Sequence, residues 1–333
     1  MDAYIKAIAY YLPEKVVTNE QLVEEFPEWS VEKIAKKVGI KERHIAAEDE
    51  TAGDMAFKAA EKLIAENNVD REAIDFILLC TQSPDYFLPS TSCIIQSRLG
   101  LPTKCGAFDF NLGCSGYEYG LAVAKGFILS GVAKNILLLT AETYNKHIHP
   151  KDKGNRTIFG DGASASLIST DGFAKIGEFV LGSDGSGYDR LIHKTGAMRH
   201  YQPMNDFYED DNGTPLSSDH LFMDGKAIFD FTSDIVPPMI EETLHKNNLT
   251  ADDVDLYVFH QANKYMINYL RKLMEIDKEK FYVFMEMVGN TVSSTIPIAL
   301  CEAQKEGKLH GNIVLAGFGV GLSFGATILN SSI

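Results

Sequence analysis

The feature that most constrains how this chain can fold is a repeat inside it. Asn67-Asn68-Val69 leads through an acidic turn into Asp75-Phe76-Ile77-Leu78-Leu79-Cys80, and Asn247-Asn248-Leu249 leads through another into Asp255-Leu256-Tyr257-Val258-Phe259-His260. The two runs match at a constant offset of 180 residues. A second pair agrees: Cys114 lies 21 residues before Asn135-Ile136-Leu137, and Asn290 lies 22 before Asn312-Ile313-Val314. The chain therefore reads as two related halves, 1–172 and 173–333, each of which must bury an apolar sheet against helices.

The alternation within each half points to an α/β fold. Ala56, Ala59, Ala60, Leu63 and Ile64 share one helical face, and Ile74 to Cys80 follows as a buried strand. Ser115 to Ser130 reads as a helix with Gly131 as its stop, followed by the apolar strand Ile136 to Thr140. Near-continuous apolar strands are covered on both faces, so two similar sheets packed through shared helices are expected. With 333 residues, 45% of them apolar, the chain is long enough to form such a core without disulfides.

Charge narrows the function. Acidic residues outnumber basic ones and the net charge is −15, with no Lys/Arg block to track phosphates, which argues against nucleic acid as a partner. No apolar run approaches the ~20 residues needed to cross a bilayer, and Met1 to Pro13 lacks the apolar core of a secretion signal. A cytoplasmic location is expected. The five cysteines have neither CxxC spacing nor a secretory context, and the histidines show no metal-ligand spacing, so no disulfide and no metal are expected.

Three residues stand out chemically. Cys114, in Asn111-Leu112-Gly113-Cys114-Ser115-Gly116, falls between the strand Gly106 to Phe110 and a helix, where amides and the positive helix end favour a thiolate and lower the thiol pKa. The other cysteines, Cys80, Cys93, Cys105 and Cys301, read as packing residues. His260 ends a strand at the position equivalent to Cys80 and is followed by Gln261-Ala262-Asn263, which brings its ring to the carboxyl end of a sheet. Asn290, in Gly289-Asn290-Thr291-Val292-Ser293-Ser294, opens a helix much as the Cys114 segment does, although a plain helix cap explains an Asn there equally well. The glycine-rich Gly317 to Gly325 stretch lacks the Lys of a P-loop and suits a turn lining an oxyanion hole.

Together NLGCSG, HQAN, GNTVSS and the tail GFGVGLSFGA resemble the beta-ketoacyl-ACP synthase III family of thiolase-fold condensing enzymes. Gly39 to His44, Pro89-Ser90 and Phe159 to Ala163 extend the resemblance over essentially the whole chain. It implies a homodimer of duplicated five-layer αβαβα subunits. It also implies a decarboxylative Claisen condensation of an acyl-CoA primer with malonyl-ACP, giving 3-oxoacyl-ACP and initiating fatty acid synthesis, with no bound cofactor. Cys114 would carry the acyl group, His260 and Asn290 would serve the enolate oxygen, and the amides of Cys114 and Val320 would hold the tetrahedral oxyanion. By the same resemblance Leu88 would close the partner subunit's acyl pocket, and Trp29, Lys37 and Lys153 would bind CoA. Lys264, Arg271 and Lys272 would dock the carrier protein.

Several positions depart from the family pattern. Val320 stands where glycine is common, Tyr265 where arginine is frequent, Leu88 where phenylalanine is frequent, and lysines replace CoA-binding arginines. Two other readings follow. One is a specialised acyltransferase or condensing enzyme of secondary metabolism that uses another acceptor. The other is a non-catalytic partner subunit, against which the intact Cys, His and Asn set argues. A cysteine protease uses the same three residue types, but in different local signatures.

Overall fold

The computed structural model describes residues 2–210 and 213–332. Among them, nine strands form one mixed sheet. The first half supplies β1 (Tyr4–Tyr11), β2 (Phe76–Cys80), β3 (Gly106–Phe110), β4 (Asn135–Glu142) and β5 (Gly162–Ser169). The second supplies β6 (Ala174–Ser183), β7 (Leu256–Phe259), β8 (Gly311–Gly319) and β9 (Ser323–Ser331). The strand order is β7-β8-β9-β6-β1-β5-β4-β2-β3.

Each half repeats one pairing pattern. β1 runs antiparallel to β5 and β5 to β4, while β4, β2 and β3 are parallel. Likewise β6 runs antiparallel to β9 and β9 to β8, while β8 and β7 are parallel. Where β3 would have its counterpart, a single parallel bridge joins Tyr257 to Phe281. The two sheets are not wholly separate: β1 and β6 pair at Tyr4 with Lys175 and Ile5 with Ala174. Only a short link separates the end of β5 at Ser169 from the start of β6 at Ala174, and the two strands flank β1 on either side.

Six helices complete the layers: α1 (Ala52–Glu66), α2 (Thr91–Arg98), α3 (Gly116–Leu129), α4 (Gly225–Lys246), α5 (Lys264–Leu273) and α6 (Thr295–Lys305). α1 packs on the outer face of the first sheet and α4 on that of the second. α3 touches strands of both halves, and α6 touches β1, β5 and β7, so these two form the middle layer. Three apolar clusters fill the gaps: one under α1, one around α3 and α6, and one under α4 and α5 that reaches Cys114. This is the αβαβα layering expected from the resemblance.

Side-chain composition explains the middle layer. Tyr117, Leu121, Ala124 and Ile128 of α3 are wholly buried, as are Ile298, Ala299, Leu300 and Ala303 of α6. Burying each large apolar side chain is worth about 1.5–3 kcal/mol, so helices apolar on several faces are stable only when covered on both sides. The sequence-derived helix ends hold closely, and Gly131 takes the left-handed φ of 76° that stops α3.

Candidate active site

The carboxyl ends of β3 and β7 and the β8–β9 hairpin bring Cys114, His260, Asn290 and Val320 together. Cys114 lies on the turn between β3 and α3, held by Gly116 N–H donating to Gly113 O at 2.8 Å. The Cys80 thiol supports that turn by donating to Leu112 O at 3.0 Å. Gly116 must lack a side chain, because a Cβ there would lie 2.2 Å from Cys80 Sγ. Gly319 has the same constraint, with its Cβ position only 2.9 Å from Cys114 Sγ. β8 can therefore end directly over the thiol.

The hairpin above the thiol is anchored through two serines. Ser115 Oγ and Ser323 Oγ are 2.7 Å apart, and Ser323 Oγ donates to Val320 O at 2.8 Å. The Val320 amide hydrogen-bonds the Cys114 thiol and favours the thiolate, as does the amide of Cys114 itself. Burial nevertheless dominates and pushes the Cys114 pKa up to about 12. The expected depression is thus reversed, because an apolar enclosure withholds more solvation from the anion than two amides restore. At rest Cys114 is a thiol.

Val292 organises the other two side chains. It is fully buried and has a left-handed φ of 56°, a costly geometry for a β-branched residue. Its N–H donates to Asn290 Oδ1 at 2.9 Å, while Asn290 Nδ2 donates to Ala262 O at 3.3 Å and keeps one hydrogen to spare. The Val292 carbonyl faces the His260 ring, whose Nδ1 is 2.7 Å from Thr295 Oγ1. Burial holds His260 neutral, with its pKa down to about 3. Val292 also borders the nucleophile turn: a Cβ on Gly113 would meet Val292 Cγ1 at 3.4 Å and Val320 Cγ1 at 2.4 Å.

The surrounding motifs serve as framework. Gly160 N donates to Asn290 O and Asn290 N to Ile158 O, so the Phe159-Gly160-Asp161 segment fixes the Asn290 backbone. Gln261 Oε1 accepts from Phe284 N, and Asn263 caps α5 by accepting from Met266 N. Asn290 does not stand where the nucleophile stands in the repeat. It lies five residues before α6, whereas Cys114 lies two before α3.

Sequence reasoning missed a polar wall beside Cys114. Glu142, at the end of β4, accepts from Gln82 N at 2.9 Å and from Ser83 Oγ at 3.0 Å, and burial raises its pKa to about 8. Gln82 Oε1 accepts from the buried Tyr144 hydroxyl and lies 2.8 Å from the Cβ position of Gly113. His147 and His193 approach through their Nδ1 atoms at 3.0 Å, and His149 and His220 form a ring pair close by. Glu118, in the first turn of α3, is fully buried with no hydrogen-bond partner on either carboxyl oxygen, and burial raises its pKa well above the usual carboxylate range. These groups are far apart in sequence and carry no motif. Only the buried carboxylates, polar residues inside apolar runs, offered a signal.

The other expected positions scatter around this centre. Leu88 is 83% exposed beside the exposed Tyr86 and Phe87. Trp29 and Lys37 line a cavity of about 440 Å³ that also includes Asn155, Ile158, Asp210 and Phe222. Lys37 lies 5.6 Å from the Trp29 ring, but Lys153 pairs with Glu28 at 2.6 Å and is not part of the cavity lining. Lys264 and Lys272 are exposed on α5. Arg271 is half-buried and donates one N–H to Ile276 O at 2.8 Å, so only part of its guanidinium is committed. Cys93 is exposed, correcting its assignment to packing. Among the described residues no helix is long and apolar enough to cross a membrane, and no cluster of three metal-ligating side chains occurs.

A buried thiol under a backbone amide, with a neutral His and an Asn amide beside it in a duplicated αβαβα fold, defines a thiolase-fold condensing acyltransferase. Family models described as 3-oxoacyl-[acyl-carrier-protein] synthase III and its C-terminal part match residues 108–185 and 244–331. The chain is 39% identical over 322 residues to a beta-ketoacyl-[acyl-carrier-protein] synthase III of Clostridium perfringens, covering 96% of both chains. A crystal structure of a 3-oxoacyl-(acyl-carrier-protein) synthase III superposes with a TM-score of 0.97 at 46% identity, covering 99% of this chain and 100% of that one. The priming beta-ketosynthase of the R1128 polyketide pathway follows at 0.85 and 27%, covering 99% and 96%. The chain belongs to the beta-ketoacyl-ACP synthase III family.

Proposed function

We propose that this chain carries out the condensing reaction of its family through Cys114, His260 and Asn290. The Cys114 sulfur attacks an acyl thioester and keeps the acyl group, while its proton passes to the departing carrier sulfur, which leaves as the thiol; one difficult transfer is thereby divided into two. A malonyl thioester on acyl carrier protein then loses CO2, leaving enolate charge on its thioester oxygen. His260 and the free Asn290 Nδ2 hydrogen stabilise that charge as neutral donors. The carbanion attacks acyl-Cys114, the amides of Cys114 and Val320 hold the oxyanion, and collapse releases 3-oxoacyl-ACP, the entry step of fatty acid synthesis. No group outside the chain and its two thioester substrates is needed.

The observation that carries the reading is the Val292 hub, which contacts Asn290 and the His260 ring and borders the turn that holds Cys114. Residues 1–172 bring the nucleophile and 173–333 the donors, so the halves act as one unit. A homodimer is supported by the exposed Tyr86-Phe87-Leu88 tip and by β3, an apolar strand at the open edge of the sheet. Leu88 would then close the partner's acyl pocket. Lys264 and Lys272 remain as the carrier-docking charges on this otherwise acidic, cytoplasmic enzyme.

Trp29 and Lys37 suit a CoA nucleotide, but the Lys153–Glu28 pair and the acidic Asp152, Asp210 and Asp224 around the cavity oppose a polyphosphate. That opposition favours a second reading, in which the primer arrives on another carrier for a specialised condensation. Intact-mass analysis after incubation with a panel of acyl-CoAs, followed by malonyl-ACP, separates the readings. Acylation of Cys114 that is discharged as 3-oxoacyl-ACP establishes the first. An adduct that ignores malonyl-ACP establishes a different acceptor, and an adduct formed only from acyl-ACP establishes a different donor.

A further inference from the structure

A neutral imidazole can present either a hydrogen or a lone pair to a substrate, and the atom bonded at its far nitrogen decides which. The His260 ring has two polar neighbours: Thr295 Oγ1, 2.7 Å from Nδ1, and the carbonyl of Val292. No carboxylate is among the groups that influence the ring, and the edge of Phe318 packs against it with centroids 5.8 Å apart. A carbonyl only accepts. A ring with its hydrogen on Nδ1 would offer only the Nε2 lone pair to the site.

Thr295 can reverse this. Its hydroxyl is the one neighbour of Nδ1 able to donate, and its competing acceptor is Val292 O at 3.1 Å. That carbonyl already receives the backbone N–H of Thr295, so the hydroxyl is not required there. We propose that Thr295 is a positioning residue that donates its hydroxyl to His260 Nδ1 and so fixes the Nε2–H tautomer that stabilises the enolate. The inference rests on the reading of His260 as a donor. It has a corollary: an Nε2–H ring cannot take the Cys114 proton, so acylation does not depend on Thr295.

The test uses the full-length enzyme with Thr295→Val, Thr295→Ser and His260→Ala. Acylation of Cys114 is followed by intact mass, and CO2 release from malonyl-ACP is followed separately. In Thr295→Val, acylation stays within a few-fold of the parent while CO2 release falls on the order of 10²-fold. Thr295→Ser restores it to within a few-fold. Nitrogen-15 spectra of histidine-labelled parent protein, with His260 identified by its loss in His260→Ala, show the hydrogen on Nε2. A parent spectrum with the hydrogen on Nδ1 overturns the proposal even if the Val variant fails to fold, as does undiminished CO2 release in Thr295→Val. If His260→Ala itself releases CO2 at the parental rate, the donor reading of His260 fails instead, whatever Thr295 does.

Discussion

Two residues before α3 stands Cys114; two residues before α6 stands Ser293, in a turn whose neighbour Val292 takes a left-handed φ. Each turn is touched from below by the residue ending or following the equivalent strand, Cys80 in the first half and His260 in the second. In the first half that contact is support only, because the thiol of Cys80 donates to a carbonyl and stays buried. In the second, the supporting residue has become a chemical group, and the strained Val292 holds it together with Asn290. Duplication supplied two similar turns. On the proposed reading their divergence places the nucleophile on one and the charge-stabilising donors on the other, so bond formation and enolate stabilisation should be separable.

The sharpest way to break this division is at the nucleophile. Cys114→Ala should remove the acyl-enzyme altogether by intact mass while leaving residual CO2 release from malonyl-ACP, because the second turn is untouched. Loss of both would mean that the turns do not work independently. Asn290→Ala should do the reverse, with normal acylation and CO2 release down by about 10² to 10³.

A smaller effect is expected at the hub. Val292→Gly relieves about 1–2 kcal/mol of left-handed strain but loses roughly 2 kcal/mol of buried side chain. The net change in denaturant stability should therefore be small. With the hub loosened, CO2 release should fall about tenfold, or about 1.4 kcal/mol, with acylation preserved. A purely structural Val292 would slow both steps equally.

The pH dependence separates the two turns as well. A Cys114 pKa near 12 means that iodoacetamide alkylation rises about tenfold per pH unit from pH 7 to 10 without a plateau. A plateau below pH 9 would show that the thiol is activated at rest. The raised thiol pKa contributes stability that is lost as pH rises above the unfolded value toward 12. His260 has the opposite sign: its depressed pKa costs stability as pH falls below 6.5 toward 3. CO2 release should accordingly show no His260 inflection near pH 6.5. The smallest expected change is Glu118→Gln, which removes a potential negative charge near the thiol and should move the alkylation curve slightly to lower pH, leaving CO2 release unaltered.

Much of this was legible in the linear chain because it is local or periodic. The 180-residue offset, the apolar strands, Gly131 as a stop and the three motifs each depend on neighbours a few residues apart. The expectation for Cys114 failed at its pKa: a turn before a helix announces amides, but whether solvent reaches the thiol depends on β8, which arrives some 200 residues later in the chain. Arg271 shows the same limit: a basic residue on a polar helix face reads as wholly exposed until its contact with Ile276 O is seen.

By itself, then, the sequence determined the duplicated α/β architecture and singled out the three residues proposed as nucleophile and donors, since hydrophobic period and turn chemistry are written in adjacent residues. Tertiary structure alone decided how those groups are tuned. It set Glu142 and Tyr144 beside the thiol and Thr295 against His260, and joined Asn290 and His260 through the single strained residue Val292. Such contacts join residues from different elements, and their energies arise from burial and hydrogen-bond direction, which exist only once the layers have closed.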